Sequence, residues 1–206
     1  MAQYFQIHAQ TPQERLIRRA IEVVREGGLI VYPSDSSYAL GCQIDSKDAL
    51  ERIRRIRQLG QEHRFALVCL DLSQISSFAR FGNEAFRVIK MLSPGPFTFI
   101  LKATKEVPRR LQHPKFKTIG IRIPDSPIVR ALVRELGEPL FSSTLIMPGE
   151  TEALSDPYEI RDRLEKTVDL IIDADVVPYE PTTIIGFTED NPEIIRQGKA
   201  AVSFLQ

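Results

Sequence analysis

What this chain has little of narrows it first. It has no net charge, with 27 Lys and Arg against 27 Asp and Glu. Attraction to nucleic acid cannot come from overall charge and would need a local basic patch. No run of about 18 apolar residues is present, so no membrane-spanning helix is expected. The opening MAQYFQIHAQ lacks a basic stretch followed by an apolar core, which reads as a cytoplasmic chain without a signal peptide. Cysteine is scarce: Cys42 and Cys69 form no CxxC, and both read as buried thiols in a reducing compartment. The three histidines, His8, His63 and His113, are scattered and show no metal-ligand spacing. There is no internal repeat and no low-complexity tract.

What is present suits one soluble domain. The 206 residues are 43% hydrophobic and 26% charged, enough for a sizeable core. Thr11-Pro12-Gln13-Glu14 reads as a capping box opening a helix, with Leu16, Ile17, Ala20, Ile21 and Val24 on one face and Gly27-Gly28 as its end. A second helix starts near Ser46, with Arg52, Arg54, Arg55 and Arg57 around its apolar stripe. Further helices are expected over 84–92, from Ser126-Pro127 to Leu136, and from Asp156-Pro157 to near Val168. Strands are expected at 29–32, 66–70, 97–102, 118–123 and 140–144, followed by apolar runs at 169–173, 182–188 and 193–196. The alternation predicts an α/β or α+β domain with a twisted mixed sheet and flanking helices.

Two segments carry lopsided charge. Residues 102–122 hold seven bases (Lys102, Lys105, Arg109, Arg110, Lys115, Lys117 and Arg122) and one acid, Glu106. Residues 149–175 hold nine acids and three bases. The basic segment reads either as a surface for phosphates or as the partner of the acidic one.

The stretch most suggestive of function is 29–41, LIVYPSDSSYALG. An apolar strand meets Pro33, which cannot continue a sheet ladder, and a hydroxyl-rich elbow follows, Ser34-Asp35-Ser36-Ser37. Such elbows either solvate a strand end or hold a ligand. The stretch resembles the PTETVYGLG signature of the YrdC/YciO-like family, which contains the threonylcarbamoyl-AMP synthases of tRNA modification. Four more resemblances follow in order. Residues 92–98, LSPGPFT, resemble PGPxT; 119–124, IGIRIP, resemble vavRvP; 182–185, TTII, resemble STVV; and 195–198, IRQG, resemble ilRxG. The chain is most similar to the YciO branch. The resemblance assigns 11–200 to the domain and 1–10 to an N-terminal extension, and it implies a basic concave cavity.

It also implies site residues. Ser34, Arg122, Thr144 and Thr182 fall at positions that contact a threonine-like substrate, and Arg57, Arg64, Thr118 and Arg196 at positions that contact nucleotide. Arg122 stands mid-strand between Ile121 and Ile123, where a guanidinium is costly unless paired. It suits a two-point grip on a carboxylate, and a structural ion pair is the alternative. The synthase reaction joins a threonine carbamate, formed with bicarbonate, to the α-phosphorus of ATP. It calls for arginines, lysines and hydroxyls rather than a nucleophilic dyad, and no Ser-His-Asp or Cys-His pattern is visible.

The chain departs from the synthases on the ATP side. Their KxRPxxxPL motif corresponds here to 57–67, RQLGQEHRFAL, where Arg57 replaces the lysine and Leu59 the arginine. Their SxNxSG corresponds to 144–149, TLIMPG, where Ile146 replaces the asparagine and Pro148 the second serine. Two lost polar contacts would cost about 1–3 kcal/mol each. The sequence therefore points to a YrdC-like protein that binds nucleotide and double-stranded RNA or tRNA, with at most weak synthase activity. Lys102, Lys105, Arg109, Arg110, Lys115 and Lys117 are its candidate RNA contacts. No cofactor is expected to stay bound; ATP with Mg, L-threonine and bicarbonate are implied where synthase activity is retained. The alternatives are a genuine synthase that uses Arg57 and Arg64 in a rearranged site, and a scaffold with a vestigial pocket.

Overall fold

The structure, a computed structural model, describes residues 1–60, 63–188 and 191–202. In chain order the elements are β1 (Gln3–Gln6), α1 (Glu14–Arg25), β2 (Ile30–Pro33), β3 (Tyr38–Gln43), α2 (Lys47–Arg57) and β4 (Ala66–Val68). Next come α3 (Leu72–Phe78), β5 (Ala79–Arg80), α4 (Asn83–Leu92), β6 (Phe97–Ala103), a 3-10 turn (Arg109–Leu111) and β7 (Thr118–Arg122). The chain closes with α5 (Pro127–Leu136), β8 (Leu140–Thr144), α6 (Pro157–Leu164), β9 (Leu170–Asp173), β10 (Thr183–Thr188) and β11 (Asn191–Arg196).

One mixed sheet runs β1-β9-β2-β3-β8-β4-β7-β6-β10-β11, with β5 attached to β6. The sheet mixes parallel pairs (β1/β9, β2/β9, β4/β7 and β6/β10) with antiparallel ones (β2/β3, β3/β8, β4/β8, β6/β7 and β10/β11). This is the expected twisted mixed sheet. Residues 3–6, ahead of the stretch that carries the family motifs, form its edge strand β1.

Two apolar layers flank the sheet, because its strands bury side chains on both faces. α1 and α5 bring Ile21, Val24, Leu132 and Val133 against Ile30, Tyr32 and Leu170. On the other side α2, α3, α4 and α6 bring Leu50, Ile53, Ile75, Ile89 and Ile160 against Phe99, Phe141 and Ile171.

Three of the expected helix starts are real caps. Ser46 accepts from the Ala49 N–H, Ser126 from Val129 and Asp156 from Tyr158. The Thr11 capping box does not form. The Thr11 hydroxyl is paired with His8 Nδ1 at 2.9 Å, so α1 begins only at Glu14 with Gln13 as an uncapped start. The last helix is shorter than expected: α6 ends at Leu164, and residues 165–168 turn toward β9.

Candidate functional site

A cavity of about 270 Å³ lies over the sheet where β4, β6, β7, β8 and β10 come together. Its floor is kept low by small side chains. Ala66, Gly120 and Ser142 stand side by side in register on β4, β7 and β8. A Cβ on Gly120 would press the Phe65 carbonyl and crowd Ala66 and Thr98 of the lining, so glycine suits this position. Ser142 is fixed by the buried Tyr32 hydroxyl, which donates to its Oγ at 2.7 Å.

Hydroxyls and guanidiniums rise from that floor. Ser36 and Ser37 come from the β2–β3 elbow, Ser143 and Thr144 from the end of β8, Thr98 from β6 and Thr182 from the run into β10. Thr98 and Thr182 share a hydrogen bond of 2.8 Å. Arg57, at the end of α2, donates to Ser143 Oγ at 2.6 Å and to the Ile146 carbonyl at 3.2 Å. Its partial burial pulls its pKa down to about 10. Arg64, Arg122 and Arg196 complete the cationic lining, while Ile146, Tyr179, Pro181 and Ile184 supply an apolar wall.

Charge compensation separates these arginines. Arg122 is buried, and its Nη2 pairs with Asp35 Oδ1 at 2.5 Å. Among the described residues, Arg57, Arg64 and Arg196 have no carboxylate within salt-bridge distance. Among the described residues the acceptors of Arg57 are neutral, one of them His63 Nε2 at 3.4 Å. Burial, with Arg57 and Arg54 beside it, pushes the His63 pKa down to about 4, so the imidazole is neutral at pH 7.

Of the eight positions expected to touch threonine or nucleotide, the structure gathers six around the cavity: Arg57, Arg64, Arg122, Thr144, Thr182 and Arg196. Ser34 does not line it. Its Oγ donates to the Ser37 carbonyl at 3.0 Å and so holds the elbow that presents Ser36 and Ser37. Thr118 does not line it either. It opens β7 and pairs with Lys102, four residues and a full strand length from Arg122. Asp35, His63, Ser142, Ser143 and Tyr179 carry no substrate or nucleotide role in the sequence reading. Asp35 lies in the elbow and His63 within 57–67, both singled out in the sequence; Ser142 and Ser143 precede Thr144 directly, and Tyr179 arrives on a loop without a motif.

The basic segment does not pair with the acidic one: no ion pair among the described residues joins 102–122 to 149–175. Lys102 and Lys117 donate to the carbonyls of Phe116 and Pro114, and Lys115 lies over the Phe116 ring. Arg109 and Arg110 join Arg54 and Arg55 of α2 along an open groove that also contains Gln58, Gln112 and Glu51. The groove adjoins the cavity through Phe65, whose ring has the Arg54 guanidinium over it and the His63 ring edge-on.

The Sua5/YciO/YrdC family model, described as "Telomere recombination", matches residues 22–198. The chain belongs to that family. It is 55% identical over 198 residues to YciO of Escherichia coli strain K12, covering 96% of each chain. The crystal structure of E. coli YciO superposes with a TM-score of 0.96 over the whole of both chains. An uncharacterised Haemophilus influenzae protein is 52% identical over 204 residues, 98% of this chain and 99% of its own. The crystal structure of P. abyssi Sua5 complexed with L-threonine shares the fold, with a TM-score of 0.86 at 23% identity. It matches 95% of this chain and 57% of the longer Sua5 chain.

Proposed function

We propose that this is a cytoplasmic protein whose cavity binds a nucleotide through its phosphates, and which also binds double-stranded RNA or tRNA. Its threonylcarbamoyl-AMP synthase activity is at most weak. The observation that carries this reading is Arg57, a half-buried guanidinium that faces the cavity beside Arg64 and Arg196 with no carboxylate partner among the described residues. Cations left uncompensated in a partly desolvated pocket favour a polyanion, and phosphate suits arginine forks. The apolar wall of Ile146, Tyr179, Pro181 and Ile184 fits the uncharged part of a nucleotide. The solved Sua5 relative holds L-threonine, and a HypF relative of the same fold was solved in a phosphate- and nucleotide-bound form.

For RNA, the supporting feature is the arginine groove. Arg55 and Arg109 are exposed there without an ion-pair partner among the described residues, beside Arg54 and Arg110. Phosphate contacts of this kind position a duplex by shape and charge.

A second reading, a genuine synthase with a rearranged ATP site, is favoured by the convergence of Ser36, Thr98, Ser143, Thr144 and Thr182. It would use ATP with Mg, L-threonine and bicarbonate. Among the described residues no carboxylate lines the cavity, and in this reading Mg²⁺ would arrive bound to the phosphates.

Titration calorimetry with ATP and pyrophosphate tests the first reading. Pyrophosphate release with ATP, threonine and bicarbonate, omitting each in turn, tests the second. Duplex-RNA filter binding over a salt series should show affinity falling as salt rises. Affinity indifferent to salt would remove RNA from the proposal.

A further inference from the structure

Tyr32 and Ser142 share one hydrogen bond and hold two hydroxyl hydrogens between them. The Tyr32 side chain is fully buried among Ile30, Val68 and Leu140. Among the described residues the partner of its hydroxyl is Ser142 Oγ, 2.7 Å away. The ring reaches that far because Gly41, the strand neighbour of Ser142, leaves room for it. A Cβ on Gly41 would stand 2.6 Å from the ring. Burial pushes the Tyr32 pKa up to about 12, so the phenol keeps its proton at neutral pH.

One of the two hydrogens must be left over. Were Ser142 the donor, the phenolic hydrogen would be stranded in an apolar layer, where an unmet donor carries its full desolvation cost. With Tyr32 as the donor, the remaining hydrogen belongs to Ser142, which lines the cavity. The second arrangement therefore prevails. It fills one lone pair of Ser142 from beneath the floor, and no acceptor among the described residues takes the serine's own hydrogen. The arginines of the same lining, Arg57, Arg64 and Arg196, attract the anion that such a donor serves.

We infer that Ser142 is a ligand-binding residue that donates its hydroxyl hydrogen to an anionic oxygen in the cavity, and that Tyr32 is the positioning residue that fixes this direction. The inference rests on the nucleotide reading given above, and the oxygen it fits belongs to a phosphate group.

The test compares Tyr32→Phe with the double variant Tyr32→Phe/Ser142→Ala by calorimetry with pyrophosphate. Neither strands a buried phenol, and the two differ only in the Ser142 hydroxyl. The double variant should bind pyrophosphate at least about tenfold more weakly, the scale of a hydrogen bond to a charged group. Equal affinity in the two folded variants would overturn the inference. Tyr32→Phe should bind more weakly than the wild type by a smaller factor, because Ser142 keeps its hydrogen and loses only its orientation. A wild type that binds neither pyrophosphate nor ATP would sink the nucleotide reading. The donor direction is then judged by proton NMR of the free wild type, as it is should the variants fail to fold. The Tyr32 phenolic hydrogen should exchange slowly with solvent and the Ser142 hydroxyl hydrogen fast. A slowly exchanging Ser142 hydroxyl hydrogen directed at the Tyr32 oxygen would overturn the inference.

Discussion

Arg57 and Ser143 are joined by a 2.6 Å hydrogen bond between the last turn of α2 and the end of β8. That bond aims a guanidinium with no carboxylate partner among the described residues into the cavity. Arg57→Met should therefore spare the fold and weaken nucleotide binding. Loss of a charge-assisted contact of about 1.5–3 kcal/mol predicts a decrease of roughly 10- to 150-fold, read by calorimetry with ATP.

His63 makes the same cavity sensitive to acid. Its pKa in the folded protein is about 4, below the ordinary 6.5. Between those values the unfolded chain binds more protons than the native one, so stability rises with pH across that window. As pH falls from 6.5 toward 4, the melting temperature should fall, and His63→Gln should lose part of that slope. A phosphate beside the ring favours the imidazolium. Nucleotide binding near pH 5.5 should therefore take up protons, visible as a dependence of the calorimetric heat on buffer ionisation enthalpy.

Gly198 packs directly on the strand entry that carries Thr182. A Cβ there would collide with the Pro181 carbonyl and the Thr182 backbone, while the Gly198 N–H donates to Thr183 Oγ1 at 3.0 Å. Gly198→Ala should lower stability by about 1–3 kcal/mol in urea unfolding. It should also weaken nucleotide binding, since Arg196 reaches the Thr182 carbonyl at 2.8 Å across the same contact.

The groove arginines should act through charge alone. Arg55→Gln and Arg109→Gln, singly, should weaken duplex-RNA binding equally for all sequences and reduce the steepness of its salt dependence by about one contact each. Neither should alter ATP affinity. A variant that changes sequence preference while keeping the salt slope would contradict backbone recognition.

Local chemistry made much of this fold legible. Ser46, Ser126 and Asp156 announce helix starts because a cap is decided within four residues. The Thr11 box failed for a reason only the folded chain reveals, since His8 takes the hydroxyl first. α3 and β5 were not anticipated because they span only seven and two residues, too short for a clear period. In the site, Arg57, Arg64, Thr182 and Arg196 were readable from motif positions. The Asp35–Arg122 pair joins residues 87 positions apart, and both its functional and structural readings were compatible with the letters. Tyr179 sits where it does because the Glu180 N–H donates to the Ser36 carbonyl, a contact that no local pattern encodes.

The cavity draws on α2, the β2–β3 elbow, β8, β6 and the two last strands of the sheet order, and no short stretch of chain contains more than a corner of it. The binding surface comes into being only when the sheet has closed from its middle to the β11 edge. A partly opened protein that frees β10 and β11 would keep most of its core and lose the Ile184 and Arg196 side of its cavity. Ligand binding would then act as a latch on that edge: at 100 times its dissociation constant, a nucleotide would add about 2.7 kcal/mol to the free energy of opening it. Amide exchange in β10 and β11 should slow accordingly, even though the ligand touches only a few of their residues.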